Sequence, residues 1–147
     1  AAPQPAAPPP VVITSVRLSQ HTLHRARRAD RRRRRPAQPS SRATVTVRLS
    51  RPASLTVHVA QRRPGRRQGS TCRAPTPATP TGRPCTRYVT LPRRLSLPAA
   101  GYTRTFTLTP AFGGSALPAG YYRLAVTAID AAGRRAAPRQ ISIRVTP

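Results

Sequence analysis

Leu117-Pro118-Ala119-Gly120-Tyr121-Tyr122-Arg123-Leu124-Ala125-Val126-Thr127-Ala128-Ile129-Asp130-Ala131-Ala132-Gly133, followed shortly by Gln140-Ile141-Ser142-Ile143-Arg144-Val145-Thr146, is the stretch that decides the fold class. Tyr122, Leu124, Val126 and Ala128 fall on one side of a first alternation, and Ile141, Ile143 and Val145 on one side of a second. Successive side chains of a strand point to opposite faces, so a period of two marks a strand with one buried face. Asp130 and Gly133 bracket the connection between the runs. Asp can bond nearby backbone N–H groups, and Gly accepts a positive φ without steric cost. The two runs read as a closing β-hairpin.

The same period recurs upstream. Ile13 to Ser19 reads as a first strand, with Val16 and Leu18 on one face. Ala43 to Leu49 alternates with Val45, Val47 and Leu49 inward. Arg51-Pro52-Ala53-Ser54 suits a tight turn with Pro at its second position. Leu55, Val57 and Val59 share the buried face of the next strand, Arg87 to Leu91 is a further short strand, and Leu95 and Leu97 mark another extended piece. Tyr102 to Thr109 carries Phe106 and Leu108 inward. About seven strands and no helical periodicity predict an all-β chain, a small β-sandwich. One domain spans 11–147, with a flexible basic insertion at 20–42 and a long Arg-, Pro- and Gly-rich loop at 61–84. Residues 1–10, a Pro/Ala tract, are expected to be disordered.

Charge is the second feature. The chain has 147 residues with Lys+Arg 27 and Asp+Glu 2, a formal net charge of +25. All 27 basic residues are Arg, and Lys, Glu, Asn, Met and Trp are absent. Arg, Ala and Pro are encoded by GC-rich codons, so coding bias and selection are both open as sources of the excess. Either way the surface attracts polyanions, and the planar guanidinium fork suits phosphate and carboxylate. Leu, Ile, Val and Phe number only 26, a proportion usual for disordered chains. Here they are gathered into alternating runs with Arg and Pro between them, the pattern of a folded domain with polar connections. No run approaches the roughly 20 apolar residues that span a bilayer. The opening Ala1-Ala2-Pro3 reads as a mature end left by a signal peptidase, ahead of simple Met removal or cropping.

The stretch Leu117 to Leu124, running into Ala128-Ile129-Asp130-Ala131-Ala132-Gly133, resembles the end of immunoglobulin-like or fibronectin type III-like domains in secreted and surface proteins of high-GC bacteria. Gly120, Tyr122 and Leu124 match the entry to the penultimate strand in that group, and Ala128, Asp130 and Gly133 match its turn. Leu49 to Leu55 and the pair Cys72 and Cys85 are similar to the group as well. Two departures stand out: Arg134 follows the turn Gly where Asn is usual, and Ala119 is added between Pro118 and Gly120. The resemblance implies an immunoglobulin-like sandwich, an extracytoplasmic location and a packing role for Tyr122 at the strand entry.

The residue inventory argues against catalysis. Asp30 and Asp130 are the only carboxylate side chains, whereas acid–base work on sugars needs a pair in one site. Asp30 sits among arginines and should be ion-paired or solvated; Asp130 has a turn to hold. A Ser-His-Asp set drawn with His58 and Asp130 lacks a nucleophile-elbow pattern, and His58 is on the outer face of its strand. Calcium needs more carboxylates than the chain offers. Cys72 and Cys85 read first as a disulfide; zinc held with His21 and His24 is the rival, at a spacing that matches no common zinc module. No cofactor is expected. Tyr121 and Tyr88 are the aromatics expected at the surface, too few for an evident stacking platform.

Binding potential is concentrated in the arginines. Arg31, Arg32, Arg33, Arg34 and Arg35, with Arg62, Arg63, Arg66 and Arg67 in the second loop, are the candidate polyanion contacts. Neutralising phosphates releases counterions and gives salt-sensitive, unspecific affinity. The leading expectation is a non-catalytic secreted or cell-surface module that contacts anionic envelope polymers or another protein domain. The alternative is an arginine-rich nucleic-acid-binding protein.

Overall fold

The computed structural model describes residues 8–77 and 82–147. Of the expected Pro/Ala tail, 1–7 lie outside the described residues, as do 78–81 of the expected second loop. Eleven strands follow in chain order: β1 (Ile13–Leu18), β2 (Thr22–His24), β3 (Ala43–Leu49), β4 (Ser54–Gln68), β5 (Thr71–Arg73), β6 (Pro84–Leu97), β7 (Thr103–Leu108), β8 (Ala111–Phe112), β9 (Ser115–Ala116), β10 (Gly120–Ile129) and β11 (Arg139–Thr146). No helix occurs among the described residues, and hence none long and apolar enough to cross a membrane.

A three-stranded sheet has the order β1-β3-β7, antiparallel throughout. A larger sheet runs β2-β11-β10-β4, with β5 and β6 on β4. Counting only strands of six residues or more leaves seven. The first, second and fifth of these form the smaller sheet, and the third, fourth, sixth and seventh form the larger one. β8 and β9 make a separate small hairpin through Gly113 and Gly114.

The alternation read from the sequence produces this packing. Val45, Val47, Phe106 and Leu108 from the smaller sheet join Leu55, Val57, Val59, Leu124, Val126 and Ile143 from the larger one in a single apolar cluster. Each such side chain withdrawn from water contributes roughly 1.5–3 kcal/mol before chain entropy is set against it. The closing hairpin pairs Leu124 with Ile141 and Tyr122 with Ile143, so both buried faces lie on one side of the sheet.

Three expectations about the connections need correction. The expected loop at 61–84 is strand over much of its described length: β4 continues to Gln68, β5 follows at Thr71–Arg73, and β4 stays paired with β6 as far as Arg66 opposite Pro84. Beyond Val59 both faces of β4 are largely polar, so the apolar alternation stops while the backbone ladder goes on. The pieces at Arg87–Leu91 and Leu95–Leu97 are one strand, β6, interrupted by a register shift opposite His58 and Ala60. Pro92 lies in that interruption and has no N–H to give the ladder. The insertion at 20–42 is anchored rather than free: β2 lies parallel to β11, and Leu23 is completely buried. The chain then folds back on itself through bridges Arg27 to Gln38 and Asp30 to Arg35. In the expected tail, Pro8 and Pro9 are tied down, their carbonyls accepting from Arg134 and Arg51.

Candidate functional site

Both carboxylates are occupied by the chain's own backbone. Asp130 is almost buried, and its Oδ1 accepts from the N–H groups of Ala132 (3.0 Å) and Arg134 (2.9 Å). Its Oδ2 pairs with Arg134 Nε at 2.9 Å. The Arg134 backbone bond is the largest influence holding the Asp130 carboxyl below its ordinary range, against a smaller opposing effect of burial. Gly133, at φ 81°, closes the turn and donates to the Asp130 carbonyl. Arg134, a departure from the resembled pattern, thus supplies the carboxylate's ion-pair partner. Asp30 caps Arg32 N–H at 3.0 Å and lies 4.0 Å from Arg33 Nε.

Tyr122 is also accounted for. It is 1% exposed, and its hydroxyl donates to the Pro118 carbonyl at 2.5 Å. Burial pushes this phenol above its ordinary value, partly offset by the charges of Arg25 and Arg63.

Cys72 and Cys85 form a disulfide, with Cα atoms 6.0 Å apart, so the zinc alternative falls. No group of three or more metal-ligating side chains occurs among the described residues. His21 and His24 instead bond within their own sheet edge, to the Ser142 carbonyl and the Thr146 hydroxyl. The disulfide joins β5 to β6, both of which pair with the extension of β4. Gly65 lies buried beneath it. A Cβ there would stand 2.5 Å from Cys72 Sγ.

The predicted arginines separate into two places. Arg31 to Arg35 are all exposed in the folded-back loop, beside an open depression of about 510 Å³ lined entirely by residues 27–35. Arg34 there has φ 51°, a left-handed conformation uncommon outside Gly. Arg62, Arg63, Arg66 and Arg67 lie on the extended half of β4. Arg63 is held by Gln61 Oε1 and Arg66 by the Gly82 carbonyl.

One grouping escaped sequence reasoning. Arg62 lies directly opposite Tyr88, and Arg144 directly opposite Tyr121, on the larger sheet's outer face. The guanidinium carbons of Arg62 and Arg144 each stand 5.3 Å from the Tyr121 ring centre, and that of Arg123 stands 3.7 Å from the Tyr88 ring. Such cation–π contacts are worth about 0.5–1 kcal/mol each where exposed. Tyr121 is 46% exposed, but Tyr88 is half-covered, against expectation. Period-two parity puts Tyr121 and Arg123 on the outer face of β10. No sequence signal announces that Arg62, Tyr88 and Arg144 meet them.

No family model matches the chain, and no curated protein matches it. Among solved structures, the soluble domain of PmoD from Methylocystis sp. ATCC 49242 (Rockwell) is similar at 16% identity, covering 89% of each chain with a TM-score of 0.38.

Proposed function

We propose that this chain is a non-catalytic, extracytoplasmic module with an immunoglobulin-like or fibronectin type III-like sandwich that binds anionic polymers of the cell envelope. The sandwich reading is supported by the division of seven principal strands between two sheets that share one core. The location is supported by the disulfide, since such bonds persist in oxidising compartments. One observation carries the binding role: 27 arginines face two carboxylates, and both carboxylates are already committed to their own turns. The positive field therefore lacks internal compensation and acts outward.

Retention of the full chain on immobilised heparin, DNA and peptidoglycan across a salt series tests the binding role. Strong retention that falls steeply with salt is expected. Elution from all three at low salt refutes it.

A further inference from the structure

We propose that the outer face of the larger sheet, at Tyr88 and Tyr121, is a docking surface for the backbone of a phosphodiester chain. This rests on the polyanion-binding reading above and assigns it a place and a ligand chemistry.

Across neighbouring strands of the sheet, cations and rings alternate. Arg144 of β11 faces Tyr121 of β10, and Arg62 of β4 stands by the same ring and opposite Tyr88 of β6. Arg123 lies on the Tyr88 ring. Adjacent strands are about 4.8 Å apart, so Arg144 and Arg62, two strands apart, span roughly 10 Å of a linear ligand. Among the described residues, none of these three guanidiniums donates a side-chain hydrogen bond or joins an ion pair. Arg63, Arg66, Arg87, Arg93, Arg134 and Arg139, by contrast, each spend donors on the chain itself. A guanidinium resting on a ring loses side-chain freedom before any ligand arrives, while its N–H donors stay available.

That arrangement also selects what is recognised. Arginines already stand over the rings of Tyr88 and Tyr121, which leaves the rings poorly placed to stack bases or sugars. The open groups are planar forks, whose donor spacing matches the oxygens of a phosphate. Beside Arg62 and Tyr121, an open depression of about 430 Å³, with Thr86 and Gly120 in its wall, gives an oxyanion room to approach. The Arg31–Arg35 loop has more charge but no aromatic contact that fixes its side chains. It supplies long-range attraction rather than the docking contacts.

Fluorescence anisotropy with the full chain tests this, using labelled oligothymidylate and an abasic phosphodiester oligomer of equal length. The Tyr88→Leu/Tyr121→Leu variant keeps the net charge of the parent, and binding on the order of tenfold weaker is expected. Tyr→Phe at both positions should restore parental affinity. Arg62→Gln/Arg123→Gln/Arg144→Gln should lower the salt slope by about 2, at roughly 0.7 per phosphate contact; this surface variant also decides the matter if the leucine pair fails to fold. The base-bearing and abasic oligomers should bind alike. Arginine-to-glutamine affinities within twofold of the parent overturn the inference, as does a more than tenfold preference for bases. If only Arg31→Ser through Arg35→Ser weakens binding, this inference falls and the broader reading stands. If the parent binds neither oligomer nor heparin, both fall.

Discussion

Placing one methyl group at Gly65 tests how the arginine-rich extension of β4 is held together. In Gly65→Ala the new Cβ stands 2.5 Å from Cys72 Sγ, 2.8 Å from the Arg73 carbonyl oxygen and 3.2 Å from Arg87 Cδ. The arginine methylene can swing aside. The other two contacts cannot, because Cys72 and Arg73 belong to β5, which is paired to β4 and tethered to β6 by the disulfide. Overpacking of this kind costs about 1–3 kcal/mol. An upper bound comes from the bridge, since closing its short loop stabilises the fold by about 3 kcal/mol in the chain-entropy model. A clash dearer than that is relieved by leaving the bridge open. We therefore expect Gly65→Ala to lose 1–3 kcal/mol in urea unfolding of the oxidised protein. Oxidation of the two thiols should also slow. In a Cys72→Ser/Cys85→Ser background the same change should cost clearly less, giving a coupling of about 1 kcal/mol or more. A loss below about 0.5 kcal/mol, with thiols oxidising at the parental rate, would refute the reasoning.

Leu23→Ala should destabilise by about 2–5 kcal/mol, a core-sized cost at a position inside the basic insertion, because this side chain is fully buried next to β11. Replacing Arg31 to Arg35 with Ser a few residues later should change the unfolding midpoint little, all five being exposed. The Asp130 carboxyl is held below its ordinary value of 3.8. The stability it contributes is therefore complete above that ordinary value and is lost as pH falls through the lower folded-state value. Denaturant unfolding of the parent and Asp130→Ala at a series of acid pH values should show the gap between them narrowing as pH drops. A constant gap refutes the linkage.

What was legible in the sequence is what repeats locally. Ala43–Leu49 was readable to the residue because each apolar side chain is followed by a polar one facing water, a pattern that one buried face imposes on a strand. The turn at Asp130 was readable because Asp and Gly meet its backbone requirements within four residues. The extension of β4 past Val59 was not, since its ladder partners arrive from β5 and β6 and its side chains face water. Leu23 was hidden for a related reason: one leucine among arginines carries no period, and only parallel pairing with the last strand buries it. The outer-face cluster was the least readable element, because its five side chains come from four strands spread over residues 62 to 144.

The sequence by itself determined the all-β class, the inward faces of the alternating strands, the turn held by Asp130 and the excess of positive charge, because each depends on neighbours along the chain or on composition alone. Tertiary structure decided which strands share a sheet, why Gly65 must lack a side chain and which arginines rest on rings. Those properties depend on distances between residues far apart in sequence, and only the folded backbone sets such distances.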